Sequence, residues 1–583
     1  MLKPKQKYTQ KKADKFLGRR KLIFALMICA VVSLVLKAAQ LQLLDTQFLQ
    51  KEARARHAGS VKLAAYRGRI KDRHGESLAV SAPVKTISAN PQYCRLKKGE
   101  KPNKRCLQLN KEKLKQLASL LSLPLAKVEK AFDTKSHKQF VYLKKRVDPF
   151  LTQQVKNLKL PGVQYESAFK RFYPSGEETA HLLGFTNMSD QGQEGLELQY
   201  NSTLQGIAGS KRVIRDGTRR AIAHDVESIK EPVAGQDLIL SIDERLQYLA
   251  YRELKTGFVK NQAKAATLVM LEAETGNILA MVNQPSFNPN TRKRLNKSIY
   301  RNKAVTDQFE PGSTVKPLVV AAALEGGYIT DDQLFTTEPM RLNRRTVRDG
   351  HHYGTLTLGG VLKKSSNVAA TKIALSMPPE YFWNFYYSVG FGRSPGLRFP
   401  SETSGALPDY TGWSNFEHAT LSFGYHLAVS ALQLARAYTI FADDGLLHSV
   451  SLLKREHDDY AERIISPEVA IKVRTMIEEV VKKGGTAQRA RVSGYRVAGK
   501  TGTAKKSGKG GYTDDYLSIF VGMAPASDPK LIIVVMVDSP QAGEYYGGQV
   551  AGPIFSKVMG GALRILKIAP DEEQSMSVLL SKD

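Results

Sequence analysis

The stretch "FEPGSTVKPLVVAAALEGG", Phe309 to Gly327, decides the reading of this chain. Between Leu318 and Leu324 the text is unbroken and apolar, the composition of a helix with no wet face. Pro311-Gly312 interrupts the chain before it, so a helix is expected from about Ser313. Pro317 then falls in the first turn, where its missing N–H would have been unpaired anyway. Ser313 and Lys316, at i and i+3, share one face at the amino end. Burial disfavours an ammonium and pushes a lysine toward its neutral, basic form. A neutral lysine beside a hydroxyl can take its proton, and the helix amino end favours the negative charge that develops. The apolar surroundings thus make the lysine a base. Alone, an S-x-x-K spacing is common and most often marks a capped surface.

Two further elements follow in order. "LKKSSNVAATKIAL" places Ser365-Ser366-Asn367 at a break between helical runs, an S-x-N. "VAGKTGTAKK" places Lys500-Thr501-Gly502-Thr503 on a strand after a glycine-rich approach. Taken singly, an S-x-N is often a helix cap and a K-T-G a turn. The order Ser-Lys helix, S-x-N break, K-T-G strand is much harder to obtain by accident, and it points to acyl transfer by an activated serine.

The rest of the chain sets the compartment and the architecture. With 583 residues, two or three domains are expected, and 42% hydrophobic residues suffice for a real core. The amino terminus, "MLKPKQKYTQKKADKFLGRRK", is basic and leads into "LIFALMICAVVSLVLKAAQLQLL", Leu22 to Leu44. Lys37 can snorkel, so the apolar face extends to Leu44, and no clean small-x-small cleavage site follows. This reads as an uncleaved single-pass anchor with Met1 to Lys21 in the cytoplasm and the remainder outside. The whole chain carries a net charge of +31, and the lysines of the external part are spread along it without a finger, RNP-like or basic-zipper pattern, so nucleic acid is not the expected partner. Of three cysteines, Cys94 and Cys106 face an oxidising space and could pair, but spacing alone does not establish it. No Cys/His cluster points to a metal.

Strands are expected around the His74-Gly75 turn, helices from Asn110 to about Leu158, and a strand-then-helix in "QDLILSIDERLQYLAYREL". A hairpin is expected about Glu274-Thr275-Gly276, helical text from Ser313 to about Ile440, then three successive strands and a last helix. Strands early, helices in the middle and strands late give an α+β domain whose sheet is closed by distant segments. The expected division is a cytoplasmic tail at 1–21, an anchor at 22–44 and an elongated non-catalytic pedestal at 45–235. A catalytic domain at 236–570 and a loose tail at 571–583 complete it.

On these residues the chain resembles the class B penicillin-binding proteins, and most closely the FtsI-type septal peptidoglycan transpeptidases of Gram-negative bacteria. The resemblance runs nearly the whole length, through "RGRIKDRHG", "RFYPSGEETAHLLGFTN", "GQEGLELQYN", "LSIDERLQ", "RNKAVTDQFEPGSTVKP", "SFGYHLAVSALQLARAY" and "SPQAGEYYGGQVAGPIFSKVMGG". It implies a five-stranded antiparallel sheet with helices on both sides, behind the anchor and a penicillin-binding-protein dimerisation-type pedestal. Ser313 would attack the penultimate D-Ala carbonyl of a stem peptide, with Lys316 as general base. Ser365, helped by Lys500, would relay a proton to the leaving amine, and Asn367 would hold Lys316 and a substrate amide. Thr501, Gly502 and Thr503 would line the substrate strand, the threonine hydroxyls receiving its carboxylate. The resemblance implies β-lactams as inhibitors and an inner-membrane location with the catalytic domain in the periplasm. It implies as partners a septal glycan polymerase of the FtsW-like type and other division proteins. The bond energy comes from the D-Ala–D-Ala link, so no cofactor, nucleotide or metal is required.

Departures from the family pattern are few. Ser366 stands where the related S-D-N has aspartate, His426 where a small residue is usual, and the loop after "GKTGTAKK" is short and rich in glycine and lysine. His426 is expected to be structural, since a Ser/Lys pair needs no imidazole. The alternatives are an elongation-type transpeptidase, a D,D-carboxypeptidase or β-lactamase relative, and a non-catalytic division scaffold.

Overall fold

The computed structural model describes residues 7–94, 106, 109–136, 138, 140–215, 221–291, 297–342, 344–508 and 511–572. The carboxyl-terminal tail anticipated from 571 lies, past Glu572, outside the described residues, as do the first six residues of the basic tail. The chain divides into two compact units. The first comprises Met1–Ala65, Thr86–Ser167 and Ile207–Val233, and the second Tyr66–Lys85, Ala168–Gly206 and Ala234–Asp583.

The first unit begins with a helix over Lys7–Ala39 that continues through a wider turn, Gln40–Leu44. Its apolar stretch Leu17–Leu44 has 28 residues, a mean hydropathy of 2.6 and no buried part, long and apolar enough to cross a membrane. Farther on, helices Lys111–Leu121, Leu125–Ala131 and Pro149–Asn157 close over a core that includes Ile87, Leu117, Leu121, Val128 and Val155. The helical text expected to Leu158 is interrupted by a strand, Val141–Val147, because "VYLKKRV" alternates apolar and polar positions at a period of two. Cys94 and Cys106 form a disulfide with a Cα–Cα distance of 5.6 Å.

The second unit is built on a five-stranded antiparallel sheet. Its strands are β1 (Ala265–Glu272), β2 (Ile278–Gln284), β3 (Ala498–Gly508), β4 (Gly511–Ala524) and β5 (Leu531–Asp538), in the order β2-β1-β5-β4-β3. The anticipated hairpin about Glu274-Thr275-Gly276 is β1–β2. Pairing of Ala265 with Asp538 through Glu272 with Leu531 joins segments more than two hundred residues apart. Every residue from Ala265 to Leu271 is buried, so both faces of the sheet are covered.

Helix α1 (Glu244–Lys260), capped by Asp243, and the final helix, Gly547–Ile565, cover one face. They approach closely at Gly257, where an added Cβ would meet Ile554 Cδ1 at 2.3 Å. Helix α2 (Lys316–Glu325), buried from Lys316 to Ala323, belongs to the same apolar core as the sheet. The text from Ser313 to Ile440 is not wholly helical. Met340–Leu342 and Arg345–Val347 pair as a hairpin, with Leu342 and Val347 turned inward against Val368 and Ala419.

Three stretches quoted above for their family resemblance meet in one buried cluster. Arg67 Nε donates to Glu197 Oε2 at 2.7 Å and Arg171 Nε to Glu197 Oε1 at 2.6 Å, all three side chains being essentially inaccessible. Arg67 Nη1 also donates to Asn201 Oδ1 at 3.0 Å, and Arg171 Nη1 to the Gly68 carbonyl at 2.8 Å. The motifs around "RGR", "RFYPSG" and "GLELQYN" are therefore the three arms of one ion cluster.

Candidate active site

The helix bearing Lys316 does not begin as the spacing predicts. Residues Gly312–Val315 form a 3₁₀ turn, and the α-helix starts at Lys316. The cause is Pro317, which has no N–H to give the Ser313 carbonyl. The Lys316 N–H donates to it instead, one residue early. Gly312 adopts φ +56°, and its N–H donates to the Gly424 carbonyl at 3.1 Å. Ser313 is thereby held half-buried at the mouth of a dry helix, and Lys316 is fully buried directly after it.

The S-x-N segment lies between helix α3 (Leu358–Lys364) and helix α4 (Asn367–Leu375). Ser365 closes α3 in the left-handed region at φ +58°, and Ser366 caps α4 by accepting from the Ala369 N–H at 3.0 Å. This reversal aims the Ser365 carbonyl and hydroxyl, with the Asn367 amide, at the lysine. Lys316 Nζ donates to the Ser365 carbonyl at 2.5 Å and to Asn367 Oδ1 at 2.7 Å, and lies 3.3 Å from Ser365 Oγ. These acceptors occupy its donors, and among the described residues it makes no hydrogen bond to Ser313 in the free enzyme.

The K-T-G segment is the edge strand β3, with Lys500 opposite Val521 and Gly502 opposite Ile519 of β4. Gly502 is required by proximity: an added Cβ would stand 2.8 Å from the Pro311 carbonyl oxygen and 2.9 Å from Thr314 Cγ2. The strand thus lies directly against the serine turn. Lys500 Nζ reaches Ser365 Oγ at 3.0 Å, so one hydroxyl joins the two lysines. Thr501 Oγ1 is 2.9 Å from Thr486 Oγ1, and Thr503 Oγ1 accepts from the Gly547 N–H at 3.0 Å. The structure therefore brings together all eight residues singled out from the sequence.

Burial holds the Lys316 ammonium far below the ordinary lysine range; the nearby charge of Lys500 pushes the same way and Asp349 opposes. Burial alone lowers Lys500 to about 7. The repulsion of Lys500 in a dry site thus adds to burial in favouring the neutral form of Lys316.

Asp349 is a member the sequence reading missed. Its carboxylate accepts from the Ser366 hydroxyl at 2.5 Å, from the Val368 N–H at 3.1 Å and from the Asn367 N–H. An acid absent from the S-x-N segment itself thus arrives from a "RDG" stretch that reads as an ordinary turn. We expect Asp349→Ala to unseat Asn367, lowering stability by about 1–3 kcal/mol for the lost charged hydrogen bonds. Penicillin acylation should slow at the same time. Unaltered acylation kinetics would show that α4 keeps its position without this carboxylate.

His426 stands apart from the reacting groups: its N–H donates to Glu310 Oε1 at 3.2 Å, and its ring lies 3.4 Å from Glu417 Oε1. Tyr512 also donates to Glu310 Oε1, at 3.1 Å, tying the β3–β4 hairpin to the residue three before Ser313.

A fully buried lysine pair converging on one serine hydroxyl, beside a half-buried serine and an open strand edge, defines a serine acyl-transfer enzyme of the penicillin-recognising kind. The penicillin-binding protein transpeptidase domain matches residues 266–560, and the penicillin-binding protein dimerisation domain matches residues 62–240. The chain is 40% identical to the peptidoglycan D,D-transpeptidase FtsI of Escherichia coli K12, over 97% of this chain and 95% of that one. It is 39% identical to the probable peptidoglycan D,D-transpeptidase PenA of Neisseria meningitidis, over 94% of this chain and 93% of the relative. A crystal structure of a peptidoglycan synthetase from Bifidobacterium adolescentis superposes with a TM-score of 0.70 at 25% identity, covering 89% of this chain and 98% of that one. The transpeptidase domain of penicillin-binding protein 3 from Burkholderia pseudomallei gives 0.53 at 42% identity, covering 57% and 98%. The chain belongs to the FtsI-type class B penicillin-binding proteins.

Proposed function

We propose that this peptidoglycan D,D-transpeptidase cross-links stem peptides at the division septum through an acyl-enzyme on Ser313. The observation that carries the reading is the meeting of Lys316 and Lys500, both fully buried, at the Ser365 hydroxyl. Ser313 Oγ attacks the penultimate D-Ala carbonyl and gives its proton to neutral Lys316. The new ester C–O bond forms and the C–N bond to the terminal D-Ala breaks. The proton passes through Ser365 to the leaving amine, with the positive charge of Lys500 orienting that hydroxyl. Asn367 keeps Lys316 in place and offers its amide to the peptide. The N–H groups of Ser313 and Thr503 receive the oxyanion, and the Thr501 and Thr503 hydroxyls receive the substrate carboxylate. The donor peptide adds as a strand to the open edge of β3. An acceptor amine then attacks the ester, the amide cross-link forms, and the proton returns to Ser313.

The organisation that suits this task is a cytoplasmic tail at 1–21, an anchor at 22–44, a periplasmic pedestal at 45–235 and the catalytic domain at 236–570. Basic residues ahead of the apolar helix support that orientation. The anchor and pedestal offer the surfaces for a septal glycan polymerase and other division proteins.

The pH profile tests the lysine roles. With a peptide ending in D-Ala–D-Ala, kcat/KM for D-Ala release should rise with pH on a limb displaced far to the acid side of an ordinary lysine, as Lys316 loses its proton. It should fall again near pH 7 as Lys500 loses the charge that orients the Ser365 hydroxyl. A rate still climbing at pH 10 would overturn the assignment of Lys316 as base. Rapid turnover of penicillin without cross-linked product would instead mark a hydrolase.

A further inference from the structure

A cavity of about 930 Å³ opens beside the S-x-N segment, and Asn367 is one of its lining residues. Since Asn367 Oδ1 holds Lys316 Nζ at 2.7 Å, the cavity is separated from the acyl-transfer centre by one side chain. One wall is the hairpin of Met340–Leu342 and Arg345–Val347, which presents Arg344, Arg345 and the following Arg348 to it. All three are exposed, and among the described residues none has a carboxylate within ion-pair distance. Arg345 lies with its guanidinium 4.7 Å from the centre of the Phe416 ring, another lining residue. The lining also includes an aromatic pair, Tyr425 and Tyr512, in edge contact at 5.4 Å. Lys505 adds a fourth cation, already paired with Asp514 at 3.2 Å. Glu417 is the one carboxylate in the lining; its oxygens are engaged by the Ser414 N–H and by His426, and the Arg345 charge helps to hold it below the usual carboxylate range without a direct ion pair.

Three exposed guanidiniums on one wall, none in a direct ion pair among the described residues, form a site for anions. Guanidinium forks match carboxylates in geometry, and the aromatic pair suits the aliphatic stem that carries them. A cation cluster that served only solubility would have no reason to line a cavity continuous with the catalytic asparagine. We propose that this groove is a carboxylate-binding subsite, in which Arg344, Arg345 and Arg348 hold an acidic portion of a stem peptide beside the acyl-transfer centre. The inference rests on the transpeptidase reading above and deepens it. The acidic group belongs either to the donor peptide, running on from β3, or to the acceptor approaching the ester.

The test compares a synthetic stem peptide ending in D-Ala–D-Ala with its twin whose side carboxylates are amidated. In the full chain the acidic peptide should be favoured about tenfold in kcat/KM, chiefly through KM, the size expected for losing a charged hydrogen bond. Arg345→Ala/Arg348→Ala should abolish that preference, and Arg345→Lys/Arg348→Lys should restore part of it. Thermal unfolding checks that each variant is folded. If amidating the donor alone removes the preference in D-Ala release, the groove serves the donor. If amidating the acceptor alone does so in cross-link formation, it serves the acceptor. Equal use of acidic and amidated peptides by the wild-type chain, or a preference that survives in the double alanine variant, overturns the subsite. A wild-type chain that takes no fluorescent penicillin label would sink the acyl-enzyme reading itself, which keeps the two failures apart.

Discussion

Ser313→Ala abolishes covalent labelling by a fluorescent penicillin and leaves the thermal unfolding midpoint where it was. The side chain is half-buried and its hydroxyl makes no hydrogen bond among the described residues, so its removal orphans no partner. The 3₁₀ turn around it is fixed by backbone contacts, the Lys316 N–H to the Ser313 carbonyl and the Gly312 N–H to the Gly424 carbonyl. Those remain in the variant. What disappears is the atom that forms the ester, and loss of a nucleophile lowers such reactions by on the order of 10⁴-fold or more. Gel fluorescence after incubation with labelled penicillin measures the first half of the expectation and calorimetry the second. A label retained by the variant would exclude Ser313 as the acylated residue.

Glu197→Ala should be the most destabilising single change outside the catalytic cluster. The carboxylate has no access to solvent and holds two guanidiniums, Arg67 and Arg171, that are themselves almost fully buried. Its removal leaves two uncompensated cations in a dry interior, a defect that typically costs about 3–5 kcal/mol. The melting transition should fall markedly, and a triple variant with Arg67→Met, Arg171→Met and Glu197→Leu should recover much of the loss by substituting apolar contacts. A midpoint unchanged in Glu197→Ala would mean that water reaches the guanidiniums once the carboxylate is gone.

Much of the site was legible because its chemistry is written in short local patterns. An apolar helix with one lysine at its mouth announces burial, and burial sets the behaviour of that lysine. What could not be read was the third dimension of the same cluster. Asp349 precedes Ser366 by seventeen residues inside an unremarkable turn, and only folding sets its carboxylate on the α4 amino end. The groove arginines lie in "RLNRRTVRDG", text with too few apolar positions to announce a hairpin, although Leu342 and Val347 turn out to be its buried side. The helix start was displaced by a detail that is visible in the sequence yet easily weighed wrongly. Pro317 costs nothing as an unpaired donor, but it also leaves the Ser313 carbonyl open to the wrong partner. The pedestal motifs could be recognised but not explained. Arg67, Arg171 and Glu197 are more than a hundred residues apart at their extremes, and nothing local says that they share a charge balance.

The pairing of β1 with β5 has an implication for biogenesis. The sheet is begun by a segment near residue 265 and is finished only when residues up to 538 are present, since β5 joins directly to β1 and β4 and β3 continue the sheet beyond it. A polypeptide made from its amino end therefore contains its serine and first lysine long before the strands that flank them. Truncated molecules lacking β3 to β5 carry Ser313 and Lys316 without Lys500, and are expected to take no penicillin label. The full set of site residues is assembled only once the last strand has joined the sheet.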